Sequence, residues 1–439
     1  MHSDPRPRFI ASVFEPLHRN GTEHGSRRVL SCNTINSSSV KIACRRTTGT
    51  SLQRSFLYNG HSFRTRPQYR DSYVPAICTL ASSSAERAAD VGLLDRVDLR
   101  KVLDKLISRT NLSRYEASST VQSFLENKID PFQMAAFLVL LRAKGETSDE
   151  LAGMVETMRS KAMLVPVDSP VLDIVGTGGD GAATVNISTG AAVLAASCGA
   201  KVAKHGSRSV SSKCGSADVL EALGVAVELG PQEVASCIDQ VGVGFMYAPL
   251  YHPSFKALIP VRSALRVRTA FNMIGPLLNP AHARYAVLGV FSESIIAPIA
   301  QTATLMELFD KAWIVHSEGI DEFTPTAPAT VIEAARNKTS GIFSIDPETL
   351  GIGRCTVADL QSPTGTAEDN AKALVSVFQG QPGPIADAIV LNAGIALYVN
   401  GLAETVDQGV RLAREAQQQG AAYEVLKLWV DLSQQLSRK

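Results

Sequence analysis

VLDIVGTGGDG, residues 171–181, opens as a short run of branched apolar residues and breaks into glycines. Such a run reads as a buried strand that ends in a loop. NISTGAAVLAASCGA (186–200) follows, with small hydroxyl residues giving way to an alanine-rich helix, and AKVAKHGS (200–207) is a second buried strand. Strand, helix and strand at that spacing predict two parallel strands joined by a crossover, the unit of an α/β fold.

The alternation persists on both sides of this unit. ADVLEALG (217–224), PQEVASCIDQVG (231–242) and APIAQTATLMELF (297–309) read as helices. AVELG (226–230), VGFMYA (243–248), ARYAVLGVF (283–291) and KAWIVHS (311–317) read as strands, and past residue 340 the pattern gives strands and then helices. Upstream, from Leu93 to about Ala162, apolar residues recur every three or four positions, with Asp98, Ser113, Asp130 and Ser148 at the helix starts. The expected fold class is therefore α/β, with a helical small domain over 92–163 and a large domain over 170–439 built on a central mixed or parallel sheet. A proline-bounded helical stretch around 250–275 is expected to return to the small domain.

At 439 residues, 45% hydrophobic and 19% charged, the chain can bury a large core. Its net charge of +1 hides an uneven distribution: residues 1–80 carry 12 Lys and Arg against 4 Asp and Glu, and the rest carries 31 against 38. A globular part with excess negative charge is a poor match for a nucleic-acid backbone. Residues 1–81 are rich in arginine and serine, poor in acids and free of any sustained apolar segment, the composition of a disordered transit peptide. A chloroplast address fits it better than a mitochondrial one, with processing near Cys78. No run approaches the roughly 20 apolar residues that a membrane span needs, so a soluble stromal protein is expected. The cysteines at 32, 44, 78, 198, 214, 237 and 355 show neither close pairs nor metal-ligand spacing and read as reduced.

GTGGDG (176–181) has neither the lysine of a Walker loop nor the spacing of a dinucleotide fingerprint. Gly176, Gly178 and Gly179 can still bring N–H groups to an anion because no Cβ intervenes, although a tight turn without a ligand would use the same residues. Asn186, Ser188 and Thr189 stand at a helix start, where unpaired N–H groups and the dipole favour phosphate. KHGSRSVSSKCGS (204–216) adds the charge of Lys204 and the hydroxyls of Ser211, Ser212 and Ser216, a set suited to a polyphosphate. A diphosphate ligand ordinarily brings Mg²⁺, held by one or two carboxylates and its own oxygens. Asp321 and Glu322 of EGIDEFTP (318–325), just past a strand end where open α/β sheets bind ligands, are the candidates.

GTGGDG, NIST, KHGSRSVSSKCGSADVLEALG, YHPSFKALIPVR, RTAFNMIGPLLNP and GIDEF, in that order, resemble the anthranilate phosphoribosyltransferases from about residue 92 to the C-terminus. The resemblance implies a homodimer of the nucleoside phosphorylase/phosphoribosyltransferase-like fold. Its reaction would transfer the phosphoribosyl group of phosphoribosyl pyrophosphate to the amine of anthranilate, in tryptophan biosynthesis. It implies that Gly176, Thr177, Gly178, Gly179, Asp180, Thr184, Asn186, Ser188, Thr189, Lys204, Ser207, Ser212 and Ser216 hold the substrates, and that Asp321 and Glu322, with Ser188, engage Mg²⁺. Arg262 would face the carboxylate of anthranilate, and His205, Tyr251, His252 and Pro253 would line the path of the aromatic ring. Lys204, His205 and Arg262 would act in catalysis. The family usually carries asparagine where Ser207 stands, which bears on acceptor choice. Two rival readings remain: a pyrimidine nucleoside phosphorylase, opposed by RTAFNMIGPLLNP and the acid pair, and a non-catalytic nucleic-acid-binding paralogue, opposed by the charge distribution.

Overall fold

A computed structural model describes residues 98–209, 214–336 and 338–438. The expected leader, 1–81, lies outside these residues, as do Ser211 and Ser212.

Four helices come first: α1 (Leu99–Ile107), α2 (Arg114–Leu125), α3 (Pro131–Lys144) and α4 (Ser148–Ser160). Ser113 and Asp130 accept N–H bonds from the first turns of α2 and α3 and close capping boxes with Glu116 and Gln133. Asp98 precedes α1 without a side-chain cap bond. α4 starts at Ser148 as expected, and the residue before it, Thr147, caps it, because the reciprocal partner Glu150 stands three residues after Thr147.

The α/β part runs β1 (Leu172–Gly176), α5 (Ile187–Ser197), β2 (Val202–Gly206), α6 (Ser216–Ala222), α7 (Pro231–Val241) and β3 (Val243–Tyr247). After α8 (Ala248–Tyr251) and α9 (Ile259–Leu265) it resumes with β4 (Tyr285–Gly289), α10 (Ile296–Leu305), β5 (Lys311–His316) and β6 (Ala329–Ala335). Two short strands, β7 (Lys338–Thr339) and β8 (Phe343–Ile345), precede α11 (Ala367–Phe378), α12 (Pro384–Val399), α13 (Val406–Gln418) and α14 (Ala421–Ser437). The sheet order is β3-β2-β1-β4-β5-β6-β7, with β8 also on β6. β1 to β5 are mutually parallel, whereas β6 runs antiparallel to β5, so the sheet is mixed.

Residues 226–230, expected as a strand, form none. Val225, Val227 and Leu229 are buried, but the Ala226 N–H donates to Ser433 Oγ and the Leu229 carbonyl accepts from the Tyr251 hydroxyl. Side chains thus satisfy backbone groups that a sheet would otherwise have paired.

Alternate residues of each strand serve two cores. Leu172, Ile174, Val202, Val287 and Val315 pack with α5, α12 and α14, while Ala286, Leu288, Ile314 and Ile332 pack with α10 and with Leu151, Val155 and Met158 of α4. Leu258 and Val261, in the segment between β3 and β4, are buried in that second core beside Phe137 and Leu138 of α3.

Candidate active site

The chain turns one way from β1 to β2 and the other way from β4 to β5, so the crevice at the carboxyl ends of β1 and β4 is the switch point of the sheet. Each of those strands ends on a glycine, and Gly176 lies in register with Gly289. Neither could carry a side chain. A Cβ on Gly289 would stand 1.4 Å from the Asp321 carbonyl oxygen, and one on Gly176 would stand 2.3 Å from Asp321 Oδ2. The two glycines thereby let the acidic turn after β5 settle across the strand ends.

Asp321 Oδ2 accepts from the Gly178 N–H at 2.6 Å and, at 3.4 Å, from the Thr177 hydroxyl, which itself accepts from the Phe291 N–H. Gly178, Gly179 and Gly181 take positive φ, the conformation their lack of Cβ allows. Glu322 Oε1 accepts from the Ser188 N–H at 2.9 Å, so the first turn of α5 faces a carboxylate. Burial raises the Asp321 carboxyl to about 7, and Asp180 adds repulsion. Burial and the charge of Asp321 also push Glu322 well above the usual range. Two crowded carboxylates that resist ionisation fit a dication, which would take the place of the protons they otherwise favour. Among the described residues no group of three His, Cys, Asp or Glu could hold a metal unaided, so remaining ligands would come from hydroxyls, water or substrate.

Lys204, 1% exposed, donates to the Ile174 carbonyl at 2.8 Å and to Ser188 Oγ at 3.3 Å. Burial lowers its pKa, and Asp173 and Glu322 oppose that shift. His205, the next residue of β2, points to the opposite face. There its ring centroid lies 5.0 Å from that of His252, and His252 leads edge-on to Phe255 and Phe271. Nε2 of His205 and both ring nitrogens of His252 are buried without a hydrogen-bond partner among the described residues. Burial holds His205 well below its usual pKa and His252 at about 4, so both are neutral at pH 7. One strand end thus offers a cation to one side and uncharged aromatic edges to the other.

Arg262, in the last turn of α9, is half-buried and makes no side-chain bond or ion pair among the described residues, and burial lowers its pKa. Asn186 is the N-cap of α5 but makes no cap bond with its side chain, which instead accepts from Cys214 Sγ. Thr189 Oγ1 is buried without a partner among the described residues, and Thr184 bridges to Gln361. Ser207 is half-buried, its carbonyl accepting from the Ala217 N–H, and Ser216 opens α6. Tyr251 does not line an approach. Its ring is fully buried in the α5-side core and its hydroxyl is committed to Leu229, which makes it a packing residue.

Four contributors escaped sequence reasoning. Gly289 lay unremarked inside the expected strand 283–291. Asn392 of α12 brackets Phe323, donating to its carbonyl at 2.6 Å and accepting from its N–H at 3.2 Å, and so fixes the residue after the acid pair. Arg268 lies 4.3 Å over the Phe291 ring and donates to the Gly179 carbonyl. Asp173, buried inside VLDIVG, accepts from Asn279 and from the His205 N–H. A charged residue inside an apolar strand was the available signal for Asp173.

Residues 100–162 match the glycosyl transferase family, helical bundle domain, and residues 168–423 match the glycosyl transferase family, a/b domain. An anthranilate phosphoribosyltransferase from Chlamydia felis is 43% identical over 341 residues, covering 78% of this chain and 98% of the relative. The chain belongs to the anthranilate phosphoribosyltransferase family. The family likeness extends to solved structures. The anthranilate phosphoribosyltransferase of Thermus thermophilus superposes with a TM-score of 0.71 at 40% identity, over 76% of this chain and 99% of that one. The anthranilate phosphoribosyltransferase of Saccharomyces cerevisiae, solved in complex with PRPP and Mg, gives a TM-score of 0.71 at 27% identity, over 78% of this chain and 99% of that one.

Proposed function

We propose that this chain transfers the phosphoribosyl group of phosphoribosyl pyrophosphate to the amine of anthranilate, with Mg²⁺, releasing pyrophosphate. The observation that carries the reading is the convergence of a glycine loop, a helix start, Lys204 and the Asp321–Glu322 pair on one switch point. Breaking the anomeric C–O bond leaves negative charge on pyrophosphate and positive character on the ribose. Lys204, fixed by the Ile174 carbonyl and Ser188, places its charge beside the leaving group. Backbone N–H groups of the 176–181 loop and the hydroxyls of Ser188 and Thr189 complete the cradle. Mg²⁺, held by Asp321 and Glu322 with Ser188, supplies further positive charge to the diphosphate when bound.

The acceptor enters from the His205 face. Arg262, half-buried and unpaired among the described residues, suits a carboxylate, which a guanidinium grips in a planar fork. His205 and His252, neutral and edge-on, suit an aromatic ring and its amine. An aromatic amine is uncharged at neutral pH and attacks without prior deprotonation, so positioning is the main task of this side. The test is loss of anthranilate fluorescence in the presence of phosphoribosyl pyrophosphate and Mg²⁺. No loss at saturating substrates, or phosphorolysis of a pyrimidine nucleoside instead, would refute the reading.

A homodimer and delivery to the plastid belong to the same proposal. What supports the dimer is the apolar surface of the bundle, where Phe132 is 87% exposed and Val139, seven residues on along α3, and Ile107 of α1 are exposed as well. What supports the plastid is the arginine- and serine-rich composition of residues 1–81. Among the described residues no helix is long and apolar enough to cross a membrane. Import of a leader–reporter fusion into isolated plastids checks the address, and a reporter left in the cytosol counts against it.

A further inference from the structure

The stretch Gly275–Asn279 backs the two histidines: the Gly275 carbonyl faces His205 and the Leu278 carbonyl faces His252, each partly offsetting the effect of burial. This wall is held from two directions. On the sheet side, Asn279 Nδ2 donates to Asp173 Oδ2 at 2.7 Å and to the Ala203 carbonyl at 2.9 Å, while its Oδ1 accepts from the Ala281 N–H at 2.9 Å. The other oxygen of Asp173 accepts from the His205 N–H at 3.3 Å, so the same carboxylate touches both the wall and the strand it backs. On the bundle side, Arg159 at the end of α4 donates Nη1 to the Leu277 carbonyl at 3.1 Å, across 118 residues of sequence. Two residues of the wall are therefore anchored to two different parts of the fold.

Arg159 is an unusual choice for such a link. It is half-buried, it makes no ion pair among the described residues, and burial brings its pKa down to about 10. A neutral donor would make one carbonyl bond without the cost of drying a cation. What the cation adds is charge close to His252 and His282, where it disfavours their protonation.

We propose that Arg159 and Asn279 are positioning residues for the acceptor, setting the Gly275–Asn279 wall and through it His205 and His252 without touching the aromatic substrate themselves. The inference rests on the assignment of the His205–His252 face to anthranilate. It implies a split between substrates, because Lys204, Ser188 and the acid pair gather on the other face of the sheet.

The experiment is steady-state kinetics on the full chain with each substrate varied in turn, alongside thermal melting. Arg159→Met should raise the KM for anthranilate by about tenfold, the loss of one charge-assisted bond, while the KM for phosphoribosyl pyrophosphate stays within about twofold. Arg159→Lys, which keeps a charged donor, should recover most of the loss. Asn279→Ser, milder than an outright deletion, should shift the same KM in the same direction and serves if Arg159→Met does not fold. A parallel rise of both KM values, or a lysine variant no better than methionine, would reduce these residues to structural links and overturn the proposal. If the unsubstituted enzyme does not consume anthranilate, the functional reading falls and takes the inference with it. If it does, and the variants keep their KM for anthranilate, the positioning role alone falls.

Discussion

Asp321 is a carboxylate that the fold makes reluctant to ionise. Its pKa rises from 3.8 to about 7, first through burial and then through Asp180. A raised carboxyl pKa means that its contribution to stability is complete below the ordinary value and is lost as pH climbs through the folded one. Metal-free protein should therefore melt lower at about pH 7.5 than at about pH 5 on this account, and Asp321→Asn should flatten that slope in a melting series. The same substitution should abolish Mg²⁺-dependent turnover, and wild-type turnover at limiting Mg²⁺ would return Asp321 to a merely structural role. Arg262→Ala should raise the KM for anthranilate by roughly ten- to a hundredfold, as expected for losing a charged hydrogen bond, with little change for phosphoribosyl pyrophosphate. Initial-rate measurements decide it, since equal shifts would make Arg262 structural. That Lys204, Ser188 and the acid pair would meet was legible in the sequence, because residue type and place at a strand end or helix start mark all of them. Tyr251 was not, because a phenol beside a histidine looks the same on paper whether it faces a ligand or a core.

Strand ends and the turns beyond them carry the site, and their glycines matter more than their side chains. Gly289→Ala would drive its Cβ into the Asp321 carbonyl, so backbone must shift at the acid pair. The expected result is a folded protein, destabilised by about 1–3 kcal/mol as for other overpacked interiors, with Mg²⁺-dependent activity lost. Circular dichroism and the fluorescence assay read the two effects separately, and full activity in that variant would contradict the geometry. Element types were legible wherever periodicity and capping agreed, as in α2 and α3, where Ser113 with Glu116 and Asp130 with Gln133 mark the starts. AVELG misled because burial of alternate residues is common to a strand and to an extended loop. Only the partners of its backbone distinguish them, and Ser433 and Tyr251 lie 207 and 22 residues further along the chain, outside any local pattern. Distance in sequence also hid Asn392, whose service to Phe323 leaves no trace in the pattern of an apolar helix.

The molecule joins a bundle of α1 to α4 to a mixed sheet, and an apolar stripe on the bundle stays open. Phe132→Glu with Val139→Glu should convert a dimer to a monomer in light scattering while leaving helix content unchanged. A monomeric parent chain would refute the dimer outright. The order of the sheet also has a temporal consequence. β1 pairs with β4 in parallel from Leu172 opposite Tyr285 to Gly176 opposite Gly289, and the Gly178 N–H finds its acceptor, Asp321, 143 residues along the chain. Closing loops of that length before any contact repays them is slow, whereas the helices of the bundle meet near neighbours. On dilution from denaturant, far-UV ellipticity should return first and catalytic competence later, with the lag set by docking of the acidic turn onto the two glycines. Stopped-flow dichroism run beside a quenched activity assay would show it, and coincident recovery would mean that this crevice is assembled along with everything else.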